Sequence, residues 1–208
     1  MIEIIPSINV RTFEEVQERI KKVELYVAWC HLDITDGIFS KHLTWHDPRD
    51  LLNLKTKLNI EAHLMVSEPE KVLDQWLITP VKRIIIHLEA VKDLDLIIQK
   101  CRSAGVEIGL AISPETIWDK FMPWFGKVDI YQTLAVHPGP SGQEVDWLEI
   151  LGKIRHIRER CPSCTIEVDG GINPDSARLV KEAGSNLLVV GTYIFKAQNI
   201  GDAIKELL

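Results

Sequence analysis

Short runs of β-branched and apolar residues alternate along the chain with longer stretches in which apolar side chains recur every three to four positions. The short runs predict eight strands: Ile2–Ile8, Trp29–Ile34, Ile60–Val66, Arg83–Leu88, Glu107–Ile112, Ile130–Val136, Thr165–Val168 and Leu187–Val190. The longer stretches predict helices with legible ends. Thr12-Phe-Glu-Glu15 reads as a capping box, Pro69 and Pro174 sit in first turns, and Gly105 and Gly184 stand where helices should stop. Strands separated by helices run parallel, and eight of them fit a closed (β/α)₈ barrel. Periodicity alone equally allows an open doubly wound sheet, so the choice rests on the motifs. No linker or low-complexity segment interrupts the alternation, and residues 1–208 read as one domain.

Composition narrows the function classes. The chain is 46% hydrophobic and 26% charged, as in ordinary globular proteins. Its 24 basic and 30 acidic residues give a net charge of -6, which counts against nucleic acid or an anionic membrane as partner. Any phosphate must therefore be held locally. There is no apolar run of about eighteen residues, and the MIEIIPSINV start lacks a signal peptide's basic opening, so the expected compartment is the cytoplasm. Cys30, Cys101, Cys161 and Cys164 are too few and too scattered for a secreted disulfide framework and are expected as reduced thiols. The Cys161-x-x-Cys164 pair has no matching second pair, which leaves a zinc ribbon poorly supported.

Candidate chemistry gathers on the strands. In His31-Leu-Asp33 the two polar side chains are two residues apart and share a strand face, as a metal-ligand pair or as a buried hydrogen-bonded pair. His63 lies in an otherwise apolar third strand, where an unpaired ring would be costly. Asp169 ends the seventh strand just before Gly170-Gly171, at the rim where such barrels carry their chemistry. Together His31, Asp33, His63 and Asp169 form a set suited to zinc or another divalent transition metal. His87-Leu-Glu89 is expected to support those ligands from behind rather than to bind the metal itself. The turns His137-Pro-Gly139-Pro-Ser141-Gly142-Gln143, Gly170-Gly171 and Gly191-Thr192 offer backbone N–H groups to an anion. Asp36 is expected to form a turn or to face the helices, and His42, His46 and His137 to be loop or surface residues without a same-strand partner.

These residues resemble the ribulose-phosphate 3-epimerase family, in the family's order and across essentially the whole chain. The matching segments are Pro6-Ser7-Ile8, His31-Leu-Asp33-Ile-Thr-Asp36-Gly37-Ile-Phe39, His63-Leu-Met65, His87-Leu-Glu-Ala90, Pro138-Gly139 through Gly142-Gln143, and Val168-Asp169-Gly-Gly-Ile172. The resemblance implies a (β/α)₈ barrel in which His31, Asp33, His63 and Asp169 bind one divalent metal, commonly zinc, with iron, manganese or cobalt as alternatives. It implies that Asp33 and Asp169 act as acid and base, interconverting D-ribulose 5-phosphate and D-xylulose 5-phosphate through an enediolate in carbohydrate metabolism. It further implies that Ser7, His63, Gly139 and Ser141 approach the phosphorylated ketose and that Gly142, Gly170, Gly171, Gly191 and Thr192 surround its phosphate; members of the family range over several assemblies, and a homo-oligomer is expected here.

The chain also departs from the family. It reads Pro140-Ser141 where the family has phenylalanine and glycine, which predicts a strained or re-bent loop if that glycine needs a positive φ. Ser40-Lys41-His42 replaces Val-Pro-Asn, Thr35 replaces a methionine, and Leu134 or Ala135 replaces another. These changes favour weighing another ketose phosphate as substrate. A related barrel decarboxylase or synthase would carry DxKxxD on the second strand, and the lysine is absent here. A non-catalytic sugar-phosphate-binding barrel would have no need for two opposed aspartates.

Overall fold

The computed structural model describes residues 2–208. Eight parallel strands follow one another around a closed barrel in chain order: β1 (Glu3–Ile8), β2 (Trp29–Thr35), β3 (Asn59–Met65), β4 (Val81–His87), β5 (Glu107–Ile112), β6 (Ile130–Leu134), β7 (Thr165–Asp169) and β8 (Leu187–Val190). Closure comes from β1 pairing with β8 in the register Glu3 to Leu187 and Pro6 to Val190. This excludes the open sheet that periodicity left possible. Helices α1 (Phe13–Val23), α2 (Pro69–Leu77), α3 (Leu94–Ala104), α4 (Trp147–Arg160), α5 (Pro174–Ala183), α6 (Thr192–Lys196) and α7 (Ile200–Leu207) surround the strands.

The expected caps form. Thr12 accepts from the Glu15 N–H while Glu15 reaches back to the Thr12 N–H, closing the capping box of α1. Gly105 and Gly184 terminate α3 and α5. After β2 and β5 the chain makes only short 3₁₀ segments, Pro48–Asn53 and Trp118–Trp124. Pro48 opens the first and Pro123 sits inside the second, where it removes a backbone donor and stops an α-helix from growing.

Two cores result. Strand side chains that face outward pack against the helices in one large apolar cluster including Ile34, Leu64, Ile84, Ile86, Leu110 and Val168. The barrel interior holds a smaller one, Ile5, Ile85, Ala111, Ile130, Leu187 and Val189. The remaining inward positions are polar: Glu61, Arg83, Gln132 and Glu167 are buried towards the N-terminal ends of the strands. Arg83 donates to Glu61 at 2.6 Å and to Glu107 at 2.8 Å, and its guanidinium lies 4.0 Å from the Trp29 ring centroid. Gln132 donates to Glu167 at 2.9 Å. Burial and the charge of Glu61 hold the Glu167 carboxyl well above the usual range, so it resists ionisation.

One expectation from the sequence is corrected. Cys161 and Cys164 are joined in a disulfide, not held as free thiols. The turn from α4 into β7 brings their Cα atoms to 5.4 Å, inside the range that a disulfide spans. Arg158 holds this turn by donating to the carbonyls of Pro162 and Cys164. Cys30 and Cys101 remain free and buried. Among the described residues no helix is long and apolar enough to cross a membrane.

Candidate metal and catalytic site

Strand register assembles the site. On the paired strands β2 and β3, Asp33 lies beside His63 and His31 beside Glu61, so all four project into the barrel. Asp169 ends β7, and Ser7 of β1 sits beside His31. Four atoms converge: His31 Nε2, Asp33 Oδ1, His63 Nδ1 and Asp169 Oδ2, all within 4.8 Å of one another. His31 Nε2 is 3.2 Å from both Asp33 Oδ1 and His63 Nδ1, and 3.7 Å from Asp169 Oδ2. His63 Nδ1 is 3.4 Å from Asp169 Oδ2 and 3.8 Å from Asp33 Oδ1.

These separations test whether a metal fits. Tetrahedral coordination with bonds of about 2.0–2.1 Å puts ligand atoms about 3.3 Å apart, close to the five distances above. Two ring nitrogens and two carboxylate oxygens aimed at one point can all present lone pairs to one cation. Burial opposes a charged His31, yet hydrogen bonds that its ring donates to Asp33 and Glu61, with the nearby carboxylate charges, hold its pKa well above the ordinary value. Burial likewise opposes the Asp33 carboxylate, but His31 and His63 hold its pKa below the usual range. The residues fit one divalent ion.

Behind the ligands, His31 Nδ1 meets Glu61 at 2.5 Å, and Arg83 holds Glu61 in turn. His63 Nε2 meets His87 Nε2 at 2.9 Å, and His87 Nδ1 meets Glu89 at 3.2 Å. His87-Leu-Glu89 therefore stands outside the converging set. Sequence reasoning passed over Glu61 because its role depends on the register of β2 with β3.

The set opens into a cavity of about 290 Å³, at the small end of ligand sites and suited to a short molecule. It is lined by Ser7, Asp33, Met65, Gly139, Ser141, Gly142, Asp169, Gly170, Gly171, Gly191 and Thr192, so nearly every sequence candidate reaches it. His31 and His63 are fully buried beneath. Ser7 Oγ donates to Asp33 Oδ2 at 2.7 Å. Gly170 and Gly171 have φ of +103° and +69°, and a Cβ on Gly171 would lie 2.3 Å from the Val145 side chain. Both the turn and the close approach therefore require glycine. Ser141 needs no strain, because the positive φ values of its loop fall on Gly139 and Gly142.

Asn9, also on the cavity wall, was missed by sequence reasoning. Its Nδ2 donates to Asp33 Oδ2 at 3.3 Å and to the Gly139 carbonyl at 3.1 Å, tying the β1, β2 and β6 ends together. His42 is not a free surface residue: it is half-buried, with Nε2 2.9 Å from Asn9 Oδ1. His137 is exposed and pairs with Glu115 at 3.0 Å, and the exposed His46 lies against the Thr44 carbonyl. Asp36 shapes its turn as expected, accepting from the N–H groups of Ile38, Phe39 and Ser67.

Residues 3–195 match the model of the ribulose-phosphate 3 epimerase family. A ribulose-phosphate 3-epimerase of Chlamydia muridarum is 36% identical over 188 residues, covering 86% of this chain and 81% of its own. The ribulose-phosphate 3-epimerase of Bacillus subtilis is 31% identical, covering 100% of this chain and 98% of its own. Among solved structures, a 3-hexulose-6-phosphate synthase superposes with a TM-score of 0.75 at 15% identity, covering 99% and 98% of the two chains. An orotidine 5'-phosphate decarboxylase from Pyrococcus horikoshii does so with 0.67 at 16%, covering 98% and 96%. Likeness at such identities concerns the fold alone. The match along nearly the whole chain, together with the identity to the two epimerases, places this protein in the ribulose-phosphate 3-epimerase family.

Proposed function

We propose that this barrel is a ribulose-phosphate 3-epimerase, an isomerase interconverting D-ribulose 5-phosphate and D-xylulose 5-phosphate. The observation that carries the reading is the pair of carboxylates, Asp33 and Asp169, entering one small cavity from β2 and β7, with two histidine nitrogens between them. A site that only binds a sugar phosphate gains nothing from two such carboxylates. Epimerisation needs both, because inverting a carbon requires proton removal on one face and delivery on the other.

His31, Asp33, His63 and Asp169 would hold one divalent metal, with zinc the first expectation for two imidazoles and two carboxylates. When bound, the ion supplies Lewis-acid polarisation of the substrate carbonyl and stabilises the charge of the enediolate. The chain's own groups do the rest. One aspartate takes the proton from the carbon beside the carbonyl, and the other, protonated, returns one to the opposite face. In the reverse reaction they exchange roles. Ser7 and Asn9 both donate to Asp33 Oδ2, which orients that carboxylate and leaves Oδ1 directed at the histidines. Gly170, Gly171, Gly191 and Thr192, together with the Gly139–Gly142 loop, line the far part of the cavity and would receive the phosphate on backbone N–H groups. The reading takes residues 1–208 as one catalytic domain, working in the cytoplasm on the pentose phosphate pathway.

The test is conversion of D-ribulose 5-phosphate by the metal-loaded protein in deuterium oxide. Wild type should form xylulose 5-phosphate and incorporate deuterium at C3. Asp33→Asn and Asp169→Asn should each lose roughly 10²–10⁴-fold in kcat, the range that one proton-transfer group contributes. A wild type that binds metal yet leaves the C3 proton unexchanged sinks the reading.

A further inference from the structure

His63 offers Nδ1 to the converging set, so for that atom to present a lone pair the ring proton must sit on Nε2. Nε2 faces His87 Nε2 at 2.9 Å, and only one proton fits between the two nitrogens. If His63 donates, His87 Nε2 accepts and the proton of His87 is on Nδ1. That nitrogen meets Glu89 Oε2 at 3.2 Å. Glu89 is itself fixed: its other oxygen, Oε1, accepts from the Ser113 N–H at 2.8 Å and the Thr116 hydroxyl at 2.5 Å. A carboxylate can only accept, so the polarity of the whole chain is dictated from the Glu89 end.

We propose that Glu89 and His87 form a tautomer relay whose function is to keep the Nδ1 lone pair of His63 free for the metal. The proposal rests on the metal-centre reading above and assigns positioning roles to both residues. The arrangement differs from that at His31, where Glu61 touches the ligand ring directly. At His63 a second imidazole is interposed, and the polarity is set one residue further out, where Ser113 and Thr116 of the chain beyond β5 hold the carboxylate.

The relay makes a specific prediction for Glu89→Gln. The donors Ser113 N–H and Thr116 O–H require an oxygen at the Oε1 position, so the amide nitrogen must take the Oε2 position and donate to His87 Nδ1. His87 then carries its proton on Nε2 and donates to His63, whose own proton is forced onto Nδ1, in the metal's place. Metal affinity of the chelator-treated protein should fall roughly 10–100-fold, the range seen when a group orienting a metal ligand is lost. Nitrogen-15 spectra of the metal-free protein at alkaline pH should show His63 switching from the Nε2–H to the Nδ1–H tautomer.

His87→Gln supplies the control. Its amide can accept from His63 and donate to Glu89 with the same polarity, so zinc affinity should stay within a few-fold of wild type. In a His87→Leu background, whose side chain can pass no hydrogen-bond polarity between residues 89 and 63, Glu89→Gln should lose its effect. If Glu89 merely anchored the loop, its replacement would weaken binding equally in both backgrounds and leave the tautomer unchanged. Either result overturns the relay, as does unaltered affinity in Glu89→Gln alone. A wild type that binds none of zinc, iron, manganese and cobalt would instead overturn the metal-centre reading.

Discussion

Arg83 decides whether Glu61 can hold His31. Both side chains are buried in the barrel, the guanidinium donates to Glu61 at 2.6 Å, and Glu61 in turn meets His31 Nδ1. Arg83→Met removes the cation and leaves a buried carboxylate without its partner, which costs about 3–5 kcal/mol. The pair of Lys100 with the exposed Asp74 is the natural comparison: Lys100→Met should change stability by less than about 1 kcal/mol. Urea unfolding of the two variants would separate the effects, and equal midpoints would show that Glu61 ionisation is not what Arg83 stabilises. The two residues also mark where legibility ends at this scale. His31, Asp33, His63 and Asp169 can be picked from the sequence because polar residues stand out in apolar strands and share a strand face at a spacing of two. Glu61 and Asn9 acquire their roles from neighbours on other strands, His31 and Asp33, and register across strands is not written in local spacing.

At the scale of elements, strand positions follow the apolar runs to within about two residues, as expected when both faces of a parallel strand are buried. The segments after β2 and after β5 are 3₁₀ turns instead of α-helices, and in the second Pro123 removes the backbone donor that an α-helix would need. Where caps are legible they should matter in proportion. Thr12→Ala opens the capping box of α1 and should cost about 1 kcal/mol, lowering Tm by roughly 2–4 °C in a chain of this size. An unchanged Tm in calorimetry would mean that α1 is held by packing of Val16, Ile20 and Val23 alone. The α4–β7 turn makes a second prediction. Burial pushes the Cys30 and Cys101 thiols up to about 12, so neither should react with a thiol reagent in the native protein. Titration should find two thiols after unfolding without reductant and four after reduction. Four without reductant would show that Cys161 and Cys164 are not joined.

For the whole molecule, the barrel gathers negative charge at one end of its interior and leaves it to be balanced by something bound. Asp33 and Asp169 face two histidines, Glu61 stands behind His31, and Arg83 is engaged by Glu61 and Glu107 at the opposite end. Closure of β1 on β8, which local periodicity could not reveal, is what brings β7 and β2 near enough for Asp169 to join Asp33. A cation bound there therefore links strands from both ends of the chain, and its removal should be felt by the fold as a whole. Because the ligands come together only in the folded state, saturation at about 100 times Kd should stabilise by about 2.7 kcal/mol. In a chain of this size that corresponds to a Tm rise of roughly 5–10 °C when zinc is returned to chelator-treated protein. Asp33→Asn and His63→Ala should abolish the rise, whereas Lys100→Met, away from the site, should keep it. Absence of any shift in wild type across zinc, iron, manganese and cobalt would mean that the four residues hold one another rather than an ion, and the two aspartates would then have to be reconsidered as a hydrogen-bonded pair with the histidines.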